Sequence, residues 1–229
     1  MKNNPIYCAI DTNNIDKAKD VAYKVKPYVG GLKLGLEFFT AHGMSGIKQI
    51  KEIGLPLFID LKFFDIPNTT KFALKNILEI NPKFTTIHCT GGRKMMTACM
   101  KLKNDMKSNT SIVGVTILTN FDDQEIGEVG FSSSVDDSIN KLASLASECS
   151  IDGLVCSPLE VKKLKESFPE LQFIVPGIRN STDEPNDQKR TLSAKEAIIN
   201  GADILVIGRP ITKADDPAKA AEKILNEIQ

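Results

Sequence analysis

The chain is predicted to be an α/β protein folding as a single-domain (β/α)8 TIM barrel across residues 1–229. Three observations carry that prediction. Eight short apolar, β-prone runs recur along the chain, segments of helical periodicity lie between them, and neither a linker nor a low-complexity stretch interrupts the alternation. An open doubly wound sheet is the alternative. It would want a Gly-x-Gly-x-x-Gly turn after the first strand, where this chain has Asp11-Thr12-Asn13-Asn14.

The elements follow in order. Residues 6–10 form an apolar run, and residues 15–26 place Ile15, Ala18, Ala22 and Val25 on one stripe with lysines and Asp20 opposite, as an amphipathic helix requires. Strands are expected at 31–34 and 57–61, then a helix over 70–80 carrying Phe72, Ala73, Ile77 and Ile80. Residues 85–89 and 112–118 supply the fourth and fifth strands, and 135–149 a helix with Ile139, Leu142, Ala143 and Ala146 inward. After a strand at 153–156, Pro158 suits the first turn of a helix, where its missing N–H costs little. Strands at 173–175 and 204–207 and a helix at 217–228 close the chain.

Composition narrows the function classes. Basic and acidic residues balance at 29 each, so no global field favours nucleic acid or an anionic membrane. Cys8, Cys89, Cys99, Cys149 and Cys156 show no C-x-x-C spacing and sit mostly in apolar runs, as small buried hydrophobes do. The opening residues lack the apolar core of a signal peptide, and no stretch approaches the ~18 apolar residues of a membrane span. The expectation is a reduced, cytoplasmic protein.

In a barrel of this type chemistry gathers at the carboxyl ends of the strands. That rule selects Asp11, Lys33, Asp60, Lys62 and Thr119, then Pro176-Gly177-Ile178-Arg179 and Gly208-Arg209. Alternation along a strand puts Phe58, Asp60 and Lys62 on one face, and sets Lys33 opposite Leu32 and Leu34. If that face is the interior, Lys33, Asp60 and Lys62 converge, with Asp65 nearby. A lone Asp-x-Lys is as well read as a structural ion pair at the rim; Asp65 and the stiff Ile66-Pro67 behind it tilt the reading toward a site. Opposite charges ~4 Å apart interact by roughly 4 kcal/mol at a near-surface effective dielectric, so such a set holds itself ionised. An ammonium flanked by Asp60 and Asp65 suits proton donation to a carbon that becomes basic in the transition state, and suits a Schiff base poorly. A Mg²⁺ site on Asp60, Asp65 and a third acid competes with this, but Lys33 places a cation where the metal would need to be.

The last two strand ends read as a phosphate clamp. Gly177 and Gly208 allow close backbone approach, and Arg179 and Arg209 bring forked, permanently charged donors to the strand ends where barrels often hold phosphate. The polar segment 180–190 is long for a βα connection and points to a mobile lid.

With these residues in hand the chain resembles the orotidine 5′-phosphate decarboxylase family over nearly its whole length. The resemblance rests on Ala9-Ile10-Asp11, Lys33-Leu34-Gly35, the block Asp60-Leu61-Lys62-Phe63-Phe64-Asp65-Ile66-Pro67-Asn68-Thr69, Val115-Thr116-Ile117-Leu118-Thr119, Pro176-Gly177-Ile178-Arg179, Asp187-Gln188 and Gly208-Arg209-Pro210-Ile211-Thr212. It implies that Lys62 protonates C6 of the pyrimidine after CO₂ departs from orotidine 5′-monophosphate, giving UMP. Asp60 would lie near the leaving carboxylate, Lys33 would bridge Asp60 and the ribose, and Asp11 would bind ribose hydroxyls. Gln188, Arg179, Arg209 and the Gly208 amide would hold the phosphate, and Thr119 would touch the base. Asp65 and Thr69 would reach into the neighbouring subunit of a homodimer. Neither metal nor organic cofactor is implied, and no nucleic-acid or membrane partner. Two rivals stand beside this: related Mg²⁺-dependent sugar-phosphate enzymes with an acid in place of Lys33, and a non-catalytic nucleotide-phosphate binder.

Other residues carry duller readings. His42 and His88 are expected to be packed or surface histidines, and Met95-Met96 to fill core. Lys103, Lys107 and the Lys162-Lys163-Lys165 cluster read as solvated helix faces.

Overall fold

In the computed structural model, which describes residues 4–179 and 192–229, eight parallel strands close into a barrel in chain order. They are β1 (Ile6–Ile10), β2 (Gly31–Leu34), β3 (Leu57–Phe63), β4 (Phe84–His88), β5 (Ser111–Val115), β6 (Gly153–Val155), β7 (Gln172–Val175) and β8 (Ile204–Ile207). Helices α1 (Ile15–Val25), α2 (Leu36–Lys51), α3 (Pro67–Leu78), α4 (Gly92–Asp105), α5 (Asp123–Glu128), α6 (Val135–Glu148), α7 (Val161–Ser167), α8 (Ala194–Ile199), α9 (Arg209–Thr212) and α10 (Pro217–Glu227) lie between and after them. Local chemistry fixes many of the helix starts. Asn14 caps α1 through the Lys17 N–H, Asp216 caps α10, and Ser193 with Glu196 forms a reciprocal capping box on α8.

Two apolar layers result. Outward-facing strand residues such as Cys8, Leu32, Ile59 and Leu205 pack under the helices with Ala18, Ala22, Phe38 and Leu74. The barrel interior is a separate cluster of Tyr7, Ala9, Phe58, Phe84, Val113, Ile174 and Val206. Tyr7 and Phe58 meet the Phe84 ring edge-on, with centroids 5.5 and 5.8 Å away. Gly31 makes room for this, since a Cβ there would lie 2.2 Å from the Tyr7 ring. All five cysteines are buried free thiols, as their apolar settings predict. Met95 and Met96 are fully buried on α4.

Several boundaries differ from the sequence reading. The fifth strand stops at Val115 rather than Leu118, because its last pairings, to His88 and Val155, end there. The fourth strand begins at Phe84, and Cys89 opens a short 3-10 turn. Helix α3 starts at Pro67, which occupies its first turn, three residues before the periodic stripe begins. Pro158 lies in a turn ahead of α7, whose N-cap is Glu160. Lys103 is not on a solvated face. It forms a largely buried ion pair with Asp152, whose other oxygen accepts from the Ile112 N–H, so the pair pins α4 to the start of β5. Lys165 likewise pairs with Asp203 and lies over the Phe173 ring.

Candidate active site

A cavity of about 520 Å³ opens at the carboxyl ends of the strands. Its floor is the upper surface of the interior cluster, Ala9, Phe58, Val155, Ile174 and Val206, joined by Val115. One side of the rim carries Asp11, Lys33, Asp60 and Lys62, and the other Gly177, Arg179, Gly208 and Arg209, with Thr119 between. Lys33, Phe58, Asp60 and Lys62 therefore all stand on the cavity face, as strand alternation predicts.

The charged side is built around Asp60. Asp60 is 8% exposed, and its Lys33, Lys62 and Thr86 partners all favour the ionised form. Lys62 Nζ lies 2.9 Å from both carboxylate oxygens, Lys33 Nζ 3.5 Å from Oδ2, and the Thr86 hydroxyl donates to Oδ1 at 3.0 Å. Lys33 also reaches Asp11 Oδ1 at 3.4 Å, so the charges run Asp11, Lys33, Asp60, Lys62 in alternating sign. Burial pushes the Asp60 carboxyl upward, but Lys33, Lys62 and the hydrogen bonds outweigh it and hold it below the ordinary carboxylate range. For Lys33, burial pulls downward, and Asp60 and Asp11 more than offset it, leaving the ammonium above its usual value. Asp60 and Lys33 thus stay charged throughout the neutral range.

Lys62 departs from regular strand geometry, with φ at +50°. A non-glycine residue in that region costs of order 1–3 kcal/mol and persists only where its surroundings over-determine it. Here the pairing of β3 with β4 jumps from Ile59↔Thr85 to Phe63↔Ile87, so β3 carries two extra residues across the stretch that holds Asp60 and Lys62. The Lys62 N–H, turned out of the ladder, donates instead to Thr86 Oγ1 at 2.8 Å. No sequence signal marked Thr86. It follows Thr85 in an ordinary β-prone run, and only the cross-strand register brings it under Asp60.

Asp65 does not line the cavity of its own chain, so within one chain Lys62 has Asp60 beside it and not Asp65. It lies past the end of β3, exposed, and its carboxylate accepts from the Ile66 N–H at 2.6 Å at the start of α3. Thr69 is also exposed, on the first turn of α3, and neither residue lines the cavity. Gln188 and the lid expected at 180–190 lie outside the described residues. On the described flanks, Ile178 bridges Leu192, and the Arg179 N–H donates to the Leu192 carbonyl at 3.0 Å. Gly177, at φ +81°, adopts a conformation open to few other residues. His88 is half-buried and hydrogen-bonds Thr90, and His42 packs on Phe38, in line with the duller readings. Among the described residues no group of three or more His, Cys, Asp or Glu side chains converges as a cation site.

Residues 4–224 match the orotidine 5′-phosphate decarboxylase / HUMPS family. The chain belongs to this family. A relative from Paramagnetospirillum magneticum named orotidine 5′-phosphate decarboxylase is 45% identical over 231 residues, covering 98% of each chain. Another of that name, from Ehrlichia chaffeensis, is 45% identical over 230 residues, covering 100% of this chain and 98% of the relative. The crystal structure of orotidine 5′-phosphate decarboxylase from Lactobacillus acidophilus matches with a TM-score of 0.85 at 32% identity, over 99% of both chains. The family therefore extends over the whole barrel and includes both the charged side of the cavity and the arginine side. No helix among the described residues is long and apolar enough to cross a membrane.

Proposed function

We propose that this chain is a carboxy-lyase of pyrimidine synthesis that converts orotidine 5′-monophosphate to UMP and CO₂, with Lys62 delivering the proton to C6. The observation that carries the reading is the placement of the Lys62 ammonium 2.9 Å from both Asp60 oxygens, at the edge of a cavity whose far rim bears Arg179 and Arg209. A nucleotide fits that polarity, its phosphate toward the arginines and its base over the apolar floor near Thr119. Asp11 and Lys33 would meet the ribose.

Losing CO₂ from C6 leaves the bonding pair on carbon, with no adjacent carbonyl able to absorb it. Stabilisation must come from charge already in place, and a fixed ammonium does this without reorganisation as the carbanion develops. The Lys62 proton then forms the C6–H bond, and the neutral amine regains a proton from solvent. Asp60 holds that ammonium in position and places negative charge near the departing carboxylate, a ground-state contribution that relaxes as CO₂ leaves. No metal or organic cofactor enters this scheme. Lys33 and Lys62 bracket Asp60 where a divalent cation would have to bind, which favours this reaction over the Mg²⁺-dependent one.

The working unit we propose is a homodimer in which Asp65 and Thr69 of each chain complete the partner's cavity. Support comes from their outward placement and from exposed Phe64, Ile66 and Phe72 around them, 62%, 68% and 62% accessible in the isolated chain. Apolar side chains grouped beside a polar residue of this kind mark a surface that another protein covers.

Purified protein is expected to convert orotidine 5′-monophosphate to UMP, followed as loss of substrate absorbance, at the same rate with and without excess EDTA. Absence of turnover would leave a non-catalytic binder, and loss of turnover in EDTA would favour the metal-dependent relatives. Arg209→Ala is expected to weaken UMP binding by roughly 10- to 100-fold, the value of one charge-assisted contact. Unchanged affinity in a calorimetric titration would place the phosphate elsewhere.

A further inference from the structure

Strand alternation puts Thr86 on the interior face of β4, directly above Phe84, and it is completely buried. Its hydroxyl is used in both senses: the single O–H donates to Asp60 Oδ1 at 3.0 Å, and the oxygen accepts from the Lys62 backbone N–H at 2.8 Å. It thereby ties together the carboxylate and the backbone of the residue whose ammonium that carboxylate holds. It does so where β3 has left its ladder with β4, between Ile59 and Phe63, and where Lys62 takes up φ +50°. A methyl in place of the hydroxyl would take this acceptor from the Lys62 N–H and remove one of Asp60's hydrogen bonds.

We infer that Thr86 is a positioning residue for the decarboxylation, its hydroxyl fixing the Asp60 carboxylate and the Lys62 backbone in one rigid unit so that the ammonium points at C6. The role rests on the function proposed above. Thr86 does not line the cavity, so it acts through Asp60 and Lys62 and not on the nucleotide itself. Its contribution therefore falls on the chemical step. The phosphate and base contacts lie on other strands and are unaffected.

The test compares Thr86→Val, which keeps shape and removes the hydroxyl, with Thr86→Ser, which keeps the hydroxyl and removes a methyl. Thr86→Val is expected to lower kcat by about 10- to 100-fold, the effect of one lost hydrogen bond to a charged group. KM and the UMP dissociation constant should stay within about threefold of wild type, the pattern of an interaction felt in the transition state. Thr86→Ser should retain kcat within about fivefold, because the charge-assisted bond survives. The reverse order, with Val active and Ser impaired, would assign Thr86 to packing alone and overturn the inference. So would equal losses in both variants, or a rise in KM at constant kcat. Should Thr86→Val fail to give a cooperative thermal transition, Thr86→Ala read against Thr86→Ser carries the same comparison. Wild-type protein without turnover would overturn the functional reading itself, before any variant is made, whereas active wild type with equally active Thr86→Val overturns only the role of Thr86.

Discussion

Lys62→Ala is expected to abolish decarboxylation, with kcat falling by roughly 10⁴-fold or more, since general acid catalysis and a preorganised charge are lost together. The side chain contributes in two ways that no neighbour can replace. In the proposed mechanism it is the proton source for C6, and it is the cation closest to Asp60, with Nζ 2.9 Å from both oxygens against 3.5 Å for Lys33. Truncation leaves Asp60 to Lys33 and Thr86, so the carboxylate keeps a partner and the barrel should still fold. The arginine side is untouched, and UMP should still bind in a calorimetric titration. The informative pattern is therefore a lost rate with retained product affinity. Near wild-type turnover by purified Lys62→Ala would remove Lys62 from the mechanism.

The second large effect concerns assembly. Lys62→Ala and Asp65→Ala should each be inactive alone, yet a mixture of the two should regain activity once subunits exchange. In a mixed dimer one site lacks both groups and the other has Lys62 from one chain and Asp65 from its partner. Random exchange makes about half the dimers mixed with one sound site each, so about a quarter of wild-type activity should return, as a two-fold symmetric assembly demands. The basis is that Asp65 and Thr69 face away from their own cavity beside exposed Phe64, Ile66 and Phe72. No recovery after exchange has been verified by native mass spectrometry would show that the sites are not shared.

The charged constellation was legible because its signals are local. Asp60 and Lys62 are two residues apart on one strand, Lys33 sits between two leucines, and the period of a strand is enough to send all three inward. Strand positions were legible for the same reason, and the eight were found in their correct order. Helices were less so. The broken helix α2 carries a non-helical Gly43 in its middle, and the short α5, α7, α8 and α9 are too brief for periodicity to speak. Lys103 misled because its partner, Asp152, lies 49 residues away on the far side of another element, which no local pattern can report.

What the sequence by itself determined was the alternation of strands and helices, the faces on which charged side chains stand, and the ends of the barrel where chemistry collects. These follow from periodicities of two and 3.6 residues, and each is set within a few neighbours along the chain. Only the tertiary structure decided that Thr86 lies beneath Asp60, that Lys62 turns out of its ladder, and that Asp65 lies outside the cavity of its own chain. Those depend on the register of β3 against β4, a relation imposed by closing eight strands into one barrel, where two extra residues on one strand redirect everything beyond them.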